Sequence, residues 1–277
     1  MHNIRHGEER AAACMDKGDA DMIFDTHAHY DDEAFDSDRD ELLLSMQENG
    51  ISHIVNVGAN IATTRNTIKL TEQYPFIYGA VGVHPSDSAE LDDEKLAWIK
   101  SVAVLPKIVA IGEIGLDYYW DEPERALQKK WFIKQLEVAK EVKKPVIIHS
   151  REAAGDTYEI MRECKAEEAG GIIHCYSYTK EMAQRFLEMD FYFGIGGVIT
   201  FKNAKKLKEA VEYIPLEKIV LETDCPYLSP EPNRGKRNSS LNLPYVAETI
   251  ASVKGITREE VERVTFKNAL DVYRIKA

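Results

Sequence analysis

Apolar, β-branched runs recur along the chain, with polar, helix-like stretches between them. Eight runs read as strands: Met22–His29, Ile51–Ala59, Phe76–Pro85, Ile108–Asp117, Pro145–Ser150, Gly170–Tyr176, Phe191–Gly197 and Ile219–Leu228. Their starts fall 21 to 37 residues apart, which leaves room for one helix in each gap. The gaps carry helical signals. Asp40–Gly50 ends on a glycine, as helix C-termini often do. Glu124–Val142 places Leu127, Trp131, Leu136 and Val138–Ala139 on an approximate stripe. A strand reached through a helix pairs parallel with its predecessor. Eight such units close into a barrel of ~250 residues. The pattern therefore predicts an α/β chain, folded over 22–277 as a single (β/α)8 TIM barrel. An open doubly wound sheet is the competing arrangement. The first strand is followed by no Gly-rich phosphate turn, which weighs against it.

Residues 1–21 do not share the pattern. They are polar and show no strand periodicity, so they read as a short N-terminal extension outside the barrel, with Met22 the expected functional start.

Composition narrows the class. The chain has 277 residues, 44% hydrophobic and 30% charged, which is ordinary for a globular protein. Its longest apolar runs, such as Pro145–Ile148, are far short of a membrane span. No signal peptide precedes Met22, and the four cysteines form no CxxC pair, so a cytoplasmic setting with free thiols is expected. The net charge of −12 argues against a protein that coats nucleic acid. It leaves room for a phosphate substrate, because bound divalent cations reverse the field inside one cleft.

Five of the eight histidines fall late in a predicted strand: His27, His29, His84, His149 and His174. In a barrel that end carries the active site. One such histidine alone reads as a hydrogen-bonded core residue; the cluster does not. Strand alternation puts His27 and His29 on one side, where two imidazoles chelate one ion, with Asp25 deeper on the same side to orient a ligand. Glu113, between Gly112 and Gly115, is costly to bury unpaired. It serves either a salt bridge or a metal, and two oxygens suit it to bridging. Val146–His149 and Gly171–His174 repeat one design, with a histidine where the strand emerges. Glu222 and Asp224 share a side, with Asp224 nearer the mouth and beside His27 and His29 once strand eight meets strand one. The ligand candidates are therefore His27, His29, Glu113, His149, His174 and Asp224. Nitrogen and carboxylate donors suit zinc or manganese, with magnesium open where carboxylates and water dominate. Six ligands exceed one catalytic ion, which points to two divalent ions ~3.5–4 Å apart.

The segments DTHAHYDD, VGVHP, IGEIGLDYYW, VIIHSR, IIHCYS, TFKNA, LETDCPYLSP and PNRGKRN occur in this order between Met22 and Ala277. As a set they resemble the TatD family of metal-dependent deoxyribonucleases, in the amidohydrolase superfamily. The resemblance implies a TIM barrel, a cytoplasmic protein, and metal-dependent cleavage of DNA from its 3′ end. It implies ligand roles for the same six residues, with Glu113 bridging the ions. The chain departs from the family at two points. Tyr178 follows the HCYS segment, where the family has a small residue. Ser239-Ser240 replaces the family's continuation after the PNRGK loop. Both departures are expected at the substrate rim.

The expected reaction is phosphodiester hydrolysis. Asp224 is the candidate proton acceptor, and Glu113 the bridging catalytic carboxylate. Arg151 is the nearest cation by sequence. Asn233, Arg234, Lys236 and Arg237 form a second basic group, which reads equally as a solvated turn. Tyr118-Tyr119-Trp120 either stack on exposed bases or pack the following helix. Hydrolysis of a small-molecule amide or ester, or of an aminoacyl-tRNA ester, uses the same metal chemistry and is the alternative. A non-catalytic binding protein is the third reading, and the complete ligand set argues against it. DNA or another phosphodiester is the expected partner, with no membrane and no obligate protein partner.

Overall fold

The computed structural model describes residues 22–120 and 122–276. The extension expected for 1–21 lies outside the described residues. The strands are β1 (Ile23–Ala28), β2 (Ile51–Val57), β3 (Ile77–Val81), β4 (Ile108–Asp117), β5 (Val146–Arg151), β6 (Gly171–Ile173), β7 (Tyr192–Ile195) and β8 (Ile219–Leu221). They pair in sequence order, and every pair is parallel. The seam between β8 and β1 is short. It consists of a parallel bridge, Ala28 to Cys225, and bonds from His29 N–H to Cys225 O (2.9 Å) and Asp224 N–H to His27 O (2.9 Å). That seam makes a nearly closed barrel and excludes the open sheet.

Helices α1 (Arg39–Leu44), α2 (Ile61–Gln73), α3 (Asp93–Val102), α4 (Arg125–Val142), α5 (Ala154–Glu163), α6 (Lys180–Glu188) and α7 (Lys205–Tyr213) fill the gaps, and α8 (Leu243–Lys254) and α9 (Arg258–Tyr273) follow β8. Their starts follow from local chemistry. Asn60 and Thr63 close a capping box at α2, and the side chains of Asp92 and Thr257 accept backbone N–H groups at α3 and α9. The helix expected to run to Gly50 stops at Leu44; a 3-10 turn over Gln47–Asn49 follows, and Gly50 closes it in the left-handed region (φ 80°).

One buried cluster takes Phe24, Val55, Val57, Ala80, Val109, Ile147, Ile172 and Val220 from strands round the barrel, and packs them with Ala269, Val272 and Tyr273 of α9. The end of α9 therefore stoppers the face opposite the site. The larger cluster joins strands to the surrounding helices. Polar contacts then tune the mouth. On α4, Gln128 bonds both the N–H and the C=O of Asp117, and Gln135 bonds both backbone groups of Val83. These residues lie seven apart, two helical turns, so one face of α4 fixes the ends of two neighbouring site segments.

β6 and β8 stop sooner than the sequence pattern suggests, after three residues each. The backbone gives the reason. Cys175 (φ 46°) and Asp224 (φ 56°) adopt left-handed conformations just beyond these strands, and the chain leaves the ladder there. Such a residue costs about 1 kcal/mol in a non-glycine, and strain of this kind concentrates at functional sites. No helix among the described residues is long and apolar enough to cross a membrane.

Candidate metal centre

The six expected ligands meet at one end of the barrel. His27 is fully buried on β1, and His29 follows one residue past its end. Their Nε2 atoms face each other at 3.1 Å. Two neutral imidazoles cannot both present lone pairs at that distance without a proton or a cation between them. Two nitrogens on one tetrahedral zinc, at ~2.0–2.1 Å each, lie ~3.3 Å apart, so the spacing fits shared coordination. Asp224 Oδ1 lies 3.3 Å from His29 Nε2 and 3.8 Å from His27 Nε2. His174 Nε2 lies 3.8 Å from the same oxygen, and its ring stacks on that of His27 with centroids 3.5 Å apart.

Glu113 sits among all of them. Its Oε2 is 3.5 Å from His27 Nε2. Its Oε1 is 2.7 Å from His149 Nδ1 and 3.6 Å from His174 Nε2. One carboxylate thus presents a different oxygen to each of two nitrogen groups. Burial alone would raise its pKa, but the His174 charge and hydrogen bonds from His149 and His27 hold it well below the usual range. Asp224 behaves alike: burial raises it, and the hydrogen bond from His29 with the charge of His174 lowers it further. Burial would lower His29, yet Asp224 raises it to about 9. Burial would lower His174, yet Glu222 and Glu113 raise it to about 10. The carboxylates thus favour positive charge at His29 and His174, while burial pushes His27 the other way. Residue type, distance and electrostatics all fit divalent ions.

The second sphere was less visible in sequence. His29 Nδ1 bonds Val57 O at 2.8 Å, and His149 Nε2 meets Asp117 Oδ2 at 3.0 Å. His84, a strand-end histidine outside the expected ligand set, is committed elsewhere. Its Nδ1 accepts the Ser86 N–H at 3.1 Å, so the proton of the neutral ring sits on Nε2. Burial and the neighbouring His149 push its pKa down to about 3. His84 therefore offers the cavity a hydrogen-bond donor and no lone pair.

Two expectations are corrected. Asp25 does not meet the imidazoles. It accepts the backbone N–H of His27 and Thr223 and the hydroxyls of Thr223 and Ser240, because a register shift between Asp25 and Ala28 breaks strict alternation. Gly112 and Gly115, which flank Glu113, let β4 pass close to β5: a Cβ at Gly115 (φ 145°) would lie 1.9 Å from His149 O. Ser240 is buried against Tyr30 and Asp25, away from the rim. Tyr178 is half-buried, with its hydroxyl 3.0 Å from Ser150 Oγ.

The centre opens into a cavity of about 790 Å³. Arg151 lines it and stacks over the exposed Tyr119 ring at 3.9 Å. Trp120 lines it too and is 64% exposed, whereas the Tyr118 hydroxyl is taken by Asp156. The basic loop is not on the cavity wall. Arg237 pairs with both oxygens of Asp38 (2.7 and 2.5 Å), Arg234 stacks on Phe201, and Asn233 donates to Asn242. The Lys236 carbonyl accepts from Ser229.

The family profile described as "TatD related DNase" matches residues 24–274. The uncharacterized metal-dependent hydrolase YabD of Bacillus subtilis is 45% identical over 254 residues, covering 92% of this chain and all of that protein. A protein of Citrobacter rodentium named 3′-5′ ssDNA/RNA exonuclease TatD is 31% identical over 259 residues, covering 91% of this chain and 98% of that one. The crystal structure of YjjV, a TatD homologue from Escherichia coli, superposes with a TM-score of 0.87 at 26% identity, covering 93% of this chain and all of that one. With that barrel, and with carboxylates and imidazoles converging as they do, the chain belongs to the family of TatD-related DNases, as a metal-dependent hydrolase.

Proposed function

We propose that the chain is a two-metal phosphodiesterase that trims single-stranded nucleic acid from its 3′ end. The observation that carries this reading is Glu113, whose Oε2 faces His27 while its Oε1 faces His149 and His174. Glu113 would help to hold two ions, one with His27, His29 and Asp224, the other with His149 and His174. Zinc, manganese and magnesium are the candidates. Bound there, such ions supply Lewis acidity and a water with a pKa near neutrality.

The protein side chains do the rest. Asp224, held by His29, accepts the proton of the attacking water. Arg151 binds the phosphate, and His84 donates Nε2–H to an oxygen of the substrate. Trp120 and Tyr119 stack on exposed bases. Of Asn233, Arg234, Lys236 and Arg237, the exposed Lys236 is best placed to meet a longer strand, since the other three have partners. The relative named as a 3′-5′ exonuclease supports the choice of end and strand. A cytoplasmic setting belongs to the same reading, and residues 1–21 are proposed to be dispensable, because the family match begins at residue 24.

One observation favours a second reading. Asp31, Asp32 and Asp87 also line the cavity, where Arg151 is the one lysine or arginine among the described residues. An acidic mouth suits a small ester or amide better than a polyanion. A metal-supplemented screen decides between them, using 3′- and 5′-labelled single-stranded DNA, RNA, duplex DNA, small phosphodiesters and amides. We expect stepwise shortening from the 3′ end of single strands. Turnover of amides or carboxylic esters alone would overturn the nuclease reading.

A further inference from the structure

Tyr178 stands where the family has a small residue, and its side chain reaches from the loop after β6 to the end of β5. The hydroxyl lies 3.0 Å from Ser150 Oγ and accepts the Ala153 N–H at 3.3 Å. These two partners flank Arg151-Glu152 in the chain. We propose that Tyr178 is a positioning residue that pins the Arg151 loop on both sides, and so holds the guanidinium where a substrate phosphate meets it. The inference rests on the phosphate-binding role proposed above for Arg151.

The bonds form a closed ring. Ala153 N–H donates to the phenol oxygen, and the phenol proton is then available to Ser150 Oγ. Ser150 Oγ lies 2.8 Å from Thr157 Oγ1, a hydroxyl fully buried on α5. Thr157 N–H donates back to Ala153 O at 2.9 Å. Burial pushes the Tyr178 phenol above its ordinary range, so the ring keeps its proton at neutral pH. Tyr178 is the member that comes from outside β5 and α5. Its own ring packs edge-on against Tyr176, which packs edge-on against Phe193 of β7. The hydroxyl is thus anchored from the core, and the loop is anchored to the hydroxyl.

The segment inside the ring needs holding. Glu152 is a non-glycine residue in the left-handed region (φ 53°), a conformation that persists only where its surroundings determine it. Arg151 O accepts the Tyr118 N–H at 2.9 Å, which fixes the strand side of the loop. The Arg151 side chain is exposed and stacks over Tyr119, and among the described residues no carboxylate pairs with it. Where the guanidinium sits therefore depends on the backbone that carries it. Ser150, Arg151 and Ser177 line the cavity, and Tyr178 stands behind them. It acts through Arg151, without touching the substrate.

The test uses the full chain with manganese and a labelled single-stranded DNA. Tyr178→Phe removes the hydroxyl and keeps the ring. It should raise KM ~3–10-fold, as expected for the loss of a neutral hydrogen bond, and leave kcat within about 2-fold. In an Arg151→Ala background the same change should add nothing, because the group it positions is gone. Order parameters from ¹⁵N relaxation should fall at the Arg151 and Glu152 amides, from ~0.85 toward ~0.6, in Tyr178→Phe. Ser150→Ala removes the partner on the other side of the bond and should reproduce the rise in KM; it carries the test if Tyr178→Phe does not fold. An unchanged KM in Tyr178→Phe, with Arg151→Ala impaired, would overturn the proposal whatever the order of the loop. So would a fall in kcat at constant KM, or an equal rise in KM with and without Arg151. Wild-type KM in Arg151→Ala, or no turnover of DNA by wild type, would remove the phosphate-binding reading and this inference with it.

Discussion

The two sides of the barrel mouth are built differently. On the β1–β8 side, His29 is backed by a backbone carbonyl, Val57 O, and His27 Nδ1 is buried without a hydrogen-bond partner. On the β4–β6 side, carboxylates stand behind both rings: His149 Nε2 meets Asp117 Oδ2 at 3.0 Å, and Glu222 Oε2 lies 3.1 Å from His174 Nδ1, although neither atom of that second pair makes a hydrogen bond. A carboxylate makes an imidazole a stronger ligand than a carbonyl does. On the proposed two-metal reading, the β4–β6 side would hold its ion more tightly, and the β1–β8 side, which carries Asp224, would be freer to serve the attacking water. Glu113 joins the two.

Removing the joint should have the largest effect. Glu113→Ala should lower kcat/KM by ~10³-fold or more and reduce bound metal, because the Lewis-acid contribution of both ions depends on it. Elemental analysis and a nuclease assay check this. A variant with two ions and near wild-type turnover would show that the two sides work independently.

Asp224→Asn comes next and isolates the β1–β8 side. It keeps size and one carbonyl oxygen but loses basicity. At saturating metal, with occupancy measured, kcat should fall ~10²-fold or more while KM changes little. A loss fully restored by extra metal would leave Asp224 as a ligand only.

The third expectation concerns pH. His29 and His174, one on each side, are raised to about 9 and about 10 in the metal-free protein. Both rings are imidazolium at pH 7 and must lose one of their two ring protons to ligate. Affinity therefore rises with pH and levels off once pH passes those values. Each ion that displaces one proton should bind ~10-fold tighter per pH unit between pH 6 and 8. Titrations at three pH values check the slope. A flat profile would mean that the ligands are already neutral.

How much of this was legible in the sequence depends on the range of the contact. The six candidate ligands were legible because they end strands, and strand periodicity is local. Asp25 misled because a register shift interrupts β1 at that point. Glu222 was seen to share a side with Asp224, but its partnership with His174 spans two strands and leaves no periodic trace. The glutamines of α4 sit on its buried face among apolar residues, where a hydropathy pattern reads them as errors. Arg237 looked like a substrate contact because its neighbours are basic. Its partner, Asp38, is 199 positions away.

That last point gives the smallest expected effects. Arg151→Ala should raise KM for a nucleotide substrate ~10-fold, since a charged hydrogen bond is lost. Arg237→Ala should change kcat/KM less than ~2-fold. Its solvent-exposed pair with Asp38 is screened, so its loss should read as no more than a small drop in Tm. Equal kinetic losses in the two variants would place the basic loop on the substrate after all.

The most direct test of the two-sided centre is a crystal structure of manganese-loaded protein with anomalous scattering. The account expects two peaks per chain ~3.5–4 Å apart, one beside His27, His29 and Asp224, the other beside His149 Nδ1 and His174 Nε2, with Glu113 between them. A single peak at full manganese, or one centred on His84 and Asp117, would contradict it.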